Sequence, residues 1–169
     1  MHLDVSTMSV REIFTIAIRL EEDGIEFYKA ASEKAHSKRL RDVLDTLIVQ
    51  EVEHRMIFQT MASQYDVNFT PDRHCMEISP QVMQALNEAE VFPAEEERDS
   101  AIASLHSPAQ VLRFAIRVEK GSAHFYKLAA RSSPSEKIRD TFRKILAEEQ
   151  RHIRLLTAEL KVLKAGFAL

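Results

Sequence analysis

Glu51 and His54 stand three residues apart in "LIVQEVEHRMIF" (residues 47–58), and Glu149 and His152 repeat that spacing in "ILAEEQRHIRLL" (residues 145–156). Thirty residues before each of these glutamates stands another, Glu21 and Glu119, with a tyrosine seven positions further on, Tyr28 and Tyr126. All of them fall where an apolar stripe would otherwise continue. Four carboxylates sharing a dry core repel one another and lose their hydration, so they must be protonated or neutralised. Two divalent cations would offset four negative charges. Carboxylate oxygens suit hard cations and imidazole suits borderline ones, so the donor set matches iron or manganese, with zinc able to intrude.

These residues belong to an internal repeat. Laid on itself at an offset of 98, the chain pairs Glu21 with Glu119, Tyr28 with Tyr126, Glu51 with Glu149 and His54 with His152, without a gap. The same register pairs "AIRLE" and "FYKAA" with "AIRVE" and "FYKLA", and Arg41-Asp42 with Arg139-Asp140. Each half reads as two helices from its three- and four-residue apolar steps: Phe14, Ala17, Ile18, Ile25 and Tyr28, then Leu40, Val43, Leu44, Leu47 and Phe58. In the second half the stripes are Val111, Phe114, Ala115, Val118, Ser122 and Phe125, then Ile138, Phe142, Ile145 and Leu156. Ser9-x-x-Glu12, Ser107-Pro108-x-Gln110 and Ser133-Pro134-Ser135-Glu136 read as capping boxes at helix starts, with Pro108 and Pro134 at the first helical position.

The elements follow: helix pairs over 9–64 and 107–164, joined by a crossover over 65–106 in a single domain spanning 1–169. The crossover holds turn formers and a possible short helix after Ser79. A helix of about 27 residues is about 40 Å long, so such a linker can traverse a bundle and start helix three beside helix two. This predicts an all-α four-helix bundle of ferritin-like topology. In each hairpin Glu21 and Glu51, or Glu119 and Glu149, are equidistant from the turn, so the four glutamates lie level and the histidines follow one turn along.

The rest of the composition bounds the function. The chain has 169 residues, 45% hydrophobic, with three glycines and a formal net charge of −3, which gives no basic footprint for nucleic acid. Cys75 is the only cysteine, excluding an intrachain disulfide framework. No signal sequence or membrane span is legible, and a cytoplasmic setting is expected.

The quoted segments resemble the rubrerythrin-type branch of the ferritin-like superfamily. The resemblance implies a di-metal centre held by Glu21, Glu51, His54, Glu119, Glu149 and His152, with Tyr28 and Tyr126 hydrogen-bonding ligand carboxylates from behind. It implies two metal ions, iron first, and an oxidoreductase acting on peroxide or oxygen. The alternative is a metal-binding or iron-storage protein without turnover. Departures are visible: no four-cysteine rubredoxin-like site is present, so a separate electron-donor protein is expected. Ser122 stands where many rubrerythrins carry a further carboxylate, with Gly24 at the matching place, and Val52 stands where bacterioferritins carry a haem-binding Met. No haem, nucleic acid or membrane is expected, and a homodimer or small homo-oligomer is. Glu22, Glu26, Glu53, Glu148, Arg19 and Arg117 read as solvated faces and His2, His36, His106 and His124 as surface residues. The role of the adjacent His74 and Cys75 is left open by the sequence.

Overall fold

The computed structural model describes residues 5–66, 104–133 and 135–166. After a short 3-10 turn at Val5–Thr7, four long helices follow: α1 (Val10–Glu33), α2 (Lys38–Tyr65), α3 (Pro108–Ser132) and α4 (Glu136–Gly166). They form a ferritin-like bundle of two hairpins. The start of α1 is closed as its sequence requires: Ser9 Oγ accepts from the Glu12 amide at 3.2 Å and Glu12 Oε2 accepts from the Ser9 amide at 2.9 Å.

The other two helix starts differ from the sequence reading. Ser107 Oγ accepts from the Gln110 amide at 3.3 Å, but Gln110 Oε1 accepts from the His106 amide instead of that of Ser107. The return bond is shifted by one residue. Ser133 does not open α4. Its amide and its hydroxyl both donate to Ala129 O, closing α3, and α4 begins after Ser135, whose carbonyl accepts from the Arg139 amide at 3.0 Å. A side chain that satisfies the end of one helix is not free to satisfy the start of the next.

The repeated arginines have a matching task. Arg41 donates to Ala35 O and Arg139 to Ser133 O, each at 2.8 Å and each six residues back, so both hairpin turns are tied by the same bond.

Contacts along the helices fix their directions. Tyr65 donates to Ser135 Oγ at 2.7 Å and Lys137 to Gln64 Oε1 at 2.7 Å, which sets the end of α2 beside the start of α4. At the opposite end Arg39 grips Glu159 through two bonds of 2.7 and 2.8 Å. The rings of Phe27, late in α1, and Phe114, early in α3, lie 4.8 Å apart. The first helices of the two hairpins are therefore antiparallel, as are the second helices. With 28 residues, α2 is about 42 Å long. The end of α2 and the start of α3 lie at opposite ends of this length, as in the one-crossover topology. The connection between them, with His74, Cys75 and the proposed short helix, lies outside the described residues.

The core on the two sides of mid-bundle is not alike. Phe14, Phe58 and Phe142 pack together with centroids 5.0–6.3 Å apart, and Tyr126 joins Phe58 at 5.3 Å. Their register mates are Leu112, Leu156 and Leu44, all buried. At these three matched positions one end carries phenylalanine where the other carries leucine.

Gly24 sits inside α1 opposite α2, where a Cβ would meet only Glu51 Cγ, at the ordinary contact distance of 3.8 Å. Gly24→Ala should therefore stabilise the fold by about 0.5–1 kcal/mol, the usual gain for replacing glycine in a helix interior. Thermal melts test this, and an unchanged or lower Tm would show that the space beside Glu51 must stay open.

Candidate metal centre

All six side chains singled out by their spacing converge at mid-bundle. Glu21 comes from α1, Glu51 and His54 from α2, Glu119 from α3, and Glu149 and His152 from α4, and all six are nearly inaccessible to solvent. Their donor atoms form two overlapping sets, each with all atoms within 4.8 Å of one another. One set is Glu21, Glu51, His54 and Glu149; the other is Glu119, Glu149, His152 and Glu51. Glu51 and Glu149 belong to both.

The histidines enter edge-on through Nδ1. His54 Nδ1 lies 3.1 Å from Glu51 Oε2, 3.1 Å from Glu149 Oε1 and 3.8 Å from Glu21 Oε2. His152 Nδ1 lies 3.3 Å from Glu51 Oε1, 3.5 Å from Glu119 Oε2 and 3.5 Å from Glu149 Oε2. The two rings stack with centroids 5.7 Å apart.

The tyrosines cross between hairpins. Tyr28 of α1 donates to Glu119 Oε1 of α3, and Tyr126 of α3 donates to Glu21 Oε1 of α1. Burial and then the surrounding carboxylates hold both phenols well above their ordinary range, so they remain protonated donors. Each bond leaves the second oxygen of its glutamate turned toward the histidines.

Without a cation the cluster divides its charge unevenly. Burial first, then the charge of Glu51, pushes Glu21 well above the ordinary carboxyl range; burial and the charges of Glu149 and Glu51 do the same to Glu119. Burial also pushes Glu51 up, but contacts with His152, His54 and Glu21 outweigh it and hold this carboxyl low. For Glu149, burial and the Glu51 charge are outweighed by contacts with Glu119, His152 and His54, and it too ends low. Burial lowers both histidines, but carboxylate contacts prevail: Glu149, Glu21 and Glu51 raise His54 far above its usual range, and Glu119, Glu149 and Glu51 raise His152 to about 12. Glu21, Glu119 and both histidines thus hold their protons more firmly than usual and Glu51 and Glu149 release theirs more readily, so the histidines share in offsetting the carboxylates.

The residues fit a pair of divalent cations better than they fit one another. Among the described residues, Glu149 Oε1 and both ring nitrogens of His152 are buried and have no hydrogen-bond partner. Buried polar atoms are rarely left so, and a cation between them would satisfy those atoms that face the cluster.

One participant was not legible. Glu148 reads as solvated in the sequence, yet its Oε2 lies 2.8 Å from His54 Nε2. The available signal was its break in the repeat, because the matching position is Gln50. Gly24 and buried Ser122 contribute no carboxylate to either set.

The chain matches the sequence model of the Rubrerythrin family over residues 12–160. Its fold is similar to that of a ferritin-like diiron-carboxylate protein from Thermotoga maritima, at 27% identity over 91% of this chain and 95% of that one, with a TM-score of 0.67. It is also similar to a hypothetical protein from Pyrococcus furiosus, at 23% identity over 94% and 92% of the two chains, with a TM-score of 0.68. A DUF305 fragment from Deinococcus radiodurans shares the fold at 15% identity, covering 90% and 95%, with a TM-score of 0.70. No curated protein matches the sequence. The donor sets and the matched family together support binding of two metal ions at mid-bundle.

Proposed function

The chain belongs to the rubrerythrin family, and from that premise we propose that it is a non-haem di-iron oxidoreductase that reduces peroxide or oxygen with electrons from a separate donor protein. The observation that carries this reading is the pair of overlapping donor sets with two shared carboxylates. Two ferrous ions held there would supply the two electrons that cleave an O–O bond.

The chain's own residues do the rest. Glu21 and His54 would hold one cation and Glu119 and His152 the other, while Glu51 and Glu149, members of both donor sets, would be shared. Tyr28 and Tyr126 fix one lone pair of each terminal glutamate, so that these carboxylates offer their remaining oxygens in one orientation. Phe14, Phe58 and Phe142 exclude water from one side. Among the described residues no helix is long and apolar enough to cross a membrane.

Anaerobic loading with Fe(II), followed by peroxide and watched by absorbance, tests the proposal. The expected result is two irons per chain and one fast oxidation, with sustained turnover only after a rubredoxin-like or flavin-containing reductant is added. Storage without turnover predicts a large hollow assembly that keeps taking up iron well beyond two per chain through repeated Fe(II)–oxidant cycles. That outcome would overturn the enzymatic reading.

A further inference from the structure

The repeat makes the two halves of the site internal controls for each other. At an offset of 98, His54 corresponds to His152 and Glu148 to Gln50. His54 uses Nδ1 toward the shared carboxylates and places Nε2 2.8 Å from Glu148 Oε2, across from α2 to α4. The symmetric bond would run from His152 Nε2 to Gln50, and it is not made: His152 Nε2 is buried and has no hydrogen-bond partner among the described residues. Glu148 itself is about a third exposed, at 36%, and its other oxygen lies 3.8 Å from Arg151 Nη1. It is a surface carboxylate held against the back of one ligand ring only.

Resting on the di-metal reading above, we propose that Glu148 is a positioning residue that makes the two metal positions unequal, the one served by His54 being the tighter. A ring that offers Nδ1 to a cation must keep its proton on Nε2. A carboxylate accepting that proton fixes the tautomer and ring plane, and makes the opposite nitrogen a stronger donor. His54 has this support. His152 lacks this bond, and among the described residues its Nε2 has no hydrogen-bond partner. The six ligands are therefore symmetric, and the inequality lies one bond further out.

Titration of the metal-free protein with Co(II), read by visible absorption against a competing chelator, tests this without any turnover. The wild type should bind two ions in separable steps. Glu148→Ala should weaken the tighter step tenfold or more and leave the other within about threefold, with Glu148→Gln between the two. Gln50→Glu, which supplies the missing carboxylate, should strengthen the weaker step and draw the two together. Two equal steps in the wild type, or an equal loss in both steps for Glu148→Ala, would overturn the proposal and leave the di-metal reading intact. Failure of the wild type to bind two ions would overturn both.

Discussion

Replacing either shared glutamate should empty both metal positions at once. Glu51→Gln removes a charge and an oxygen donor from both sets, and Glu149→Gln does the same. Loss of a ligand or its support commonly costs ten- to a hundredfold in affinity, so each substitution should weaken both ions by at least tenfold. Glu21→Gln and Glu119→Gln touch one set apiece, and each should leave close to one tightly held ion per chain. Elemental analysis after gel filtration, with the four variants side by side, reads this directly. Unaltered metal content in both Glu51→Gln and Glu149→Gln would sink the assignment. The shared pair should also matter to the metal-free fold, since Glu51 and Glu149 are its charged partners for two buried imidazoliums. Removing one member of such a group typically costs about 3–5 kcal/mol.

The metal-free and loaded proteins should respond to pH with opposite signs. In the metal-free fold Glu21 and Glu119 keep protons that the unfolded chain releases above its ordinary pKa of 4.5. Their contribution is complete below that pH and is lost as pH rises. His54 and His152 act in the same sense from 6.5 upward, the latter until about 12. Glu51 and Glu149 are held low, so their contribution is present above 4.5 and disappears as pH falls below it. Metal-free stability should thus peak near pH 4.5 and fall as pH rises above it, more steeply above 6.5 where the histidines join. With cations bound, all six ligands are deprotonated in the fold, and stability should instead rise across this window. Loading should release protons, from Glu21 and Glu119 and from His54 and His152. Thermal melts across pH and calorimetry in buffers of different ionisation enthalpy check both. Parallel melting profiles, or proton release near zero, would count against a shared buried site.

The six clustered side chains and the bundle were legible because both obey a period. A donor on an apolar stripe breaks a pattern that extends over many residues, and the offset of 98 repeats the break, so six positions and four helices could be read together. What escaped does not repeat or does not show at the level of helix faces. Glu148 matters because its partner half carries Gln50, and a single glutamate beside a ligand cannot be distinguished from a solvated one until His54 Nε2 is seen against it. The roles of Ser133 and Ser107 turned on competition between neighbouring caps, decided by distances within one turn. The exchange of three phenylalanines for three leucines is written in the sequence, but apolar periodicity treats the two types alike.

The crossed tyrosines bear on how the molecule comes together. Neither hairpin can satisfy its own upstream carboxylate: the hydroxyl that binds Glu119 belongs to the first half, and the one that binds Glu21 to the second. A hairpin formed alone during synthesis would expose a glutamate and a phenol, each missing its counterpart. The two halves are thus poor candidates for independent folding units despite their likeness, because the polar interior of each is completed only by docking with the other. The two matching halves thus make one body instead of two modules. Its seam is the polar centre, and the local opening that would bare one half's ligands must also break the bonds that order the other's.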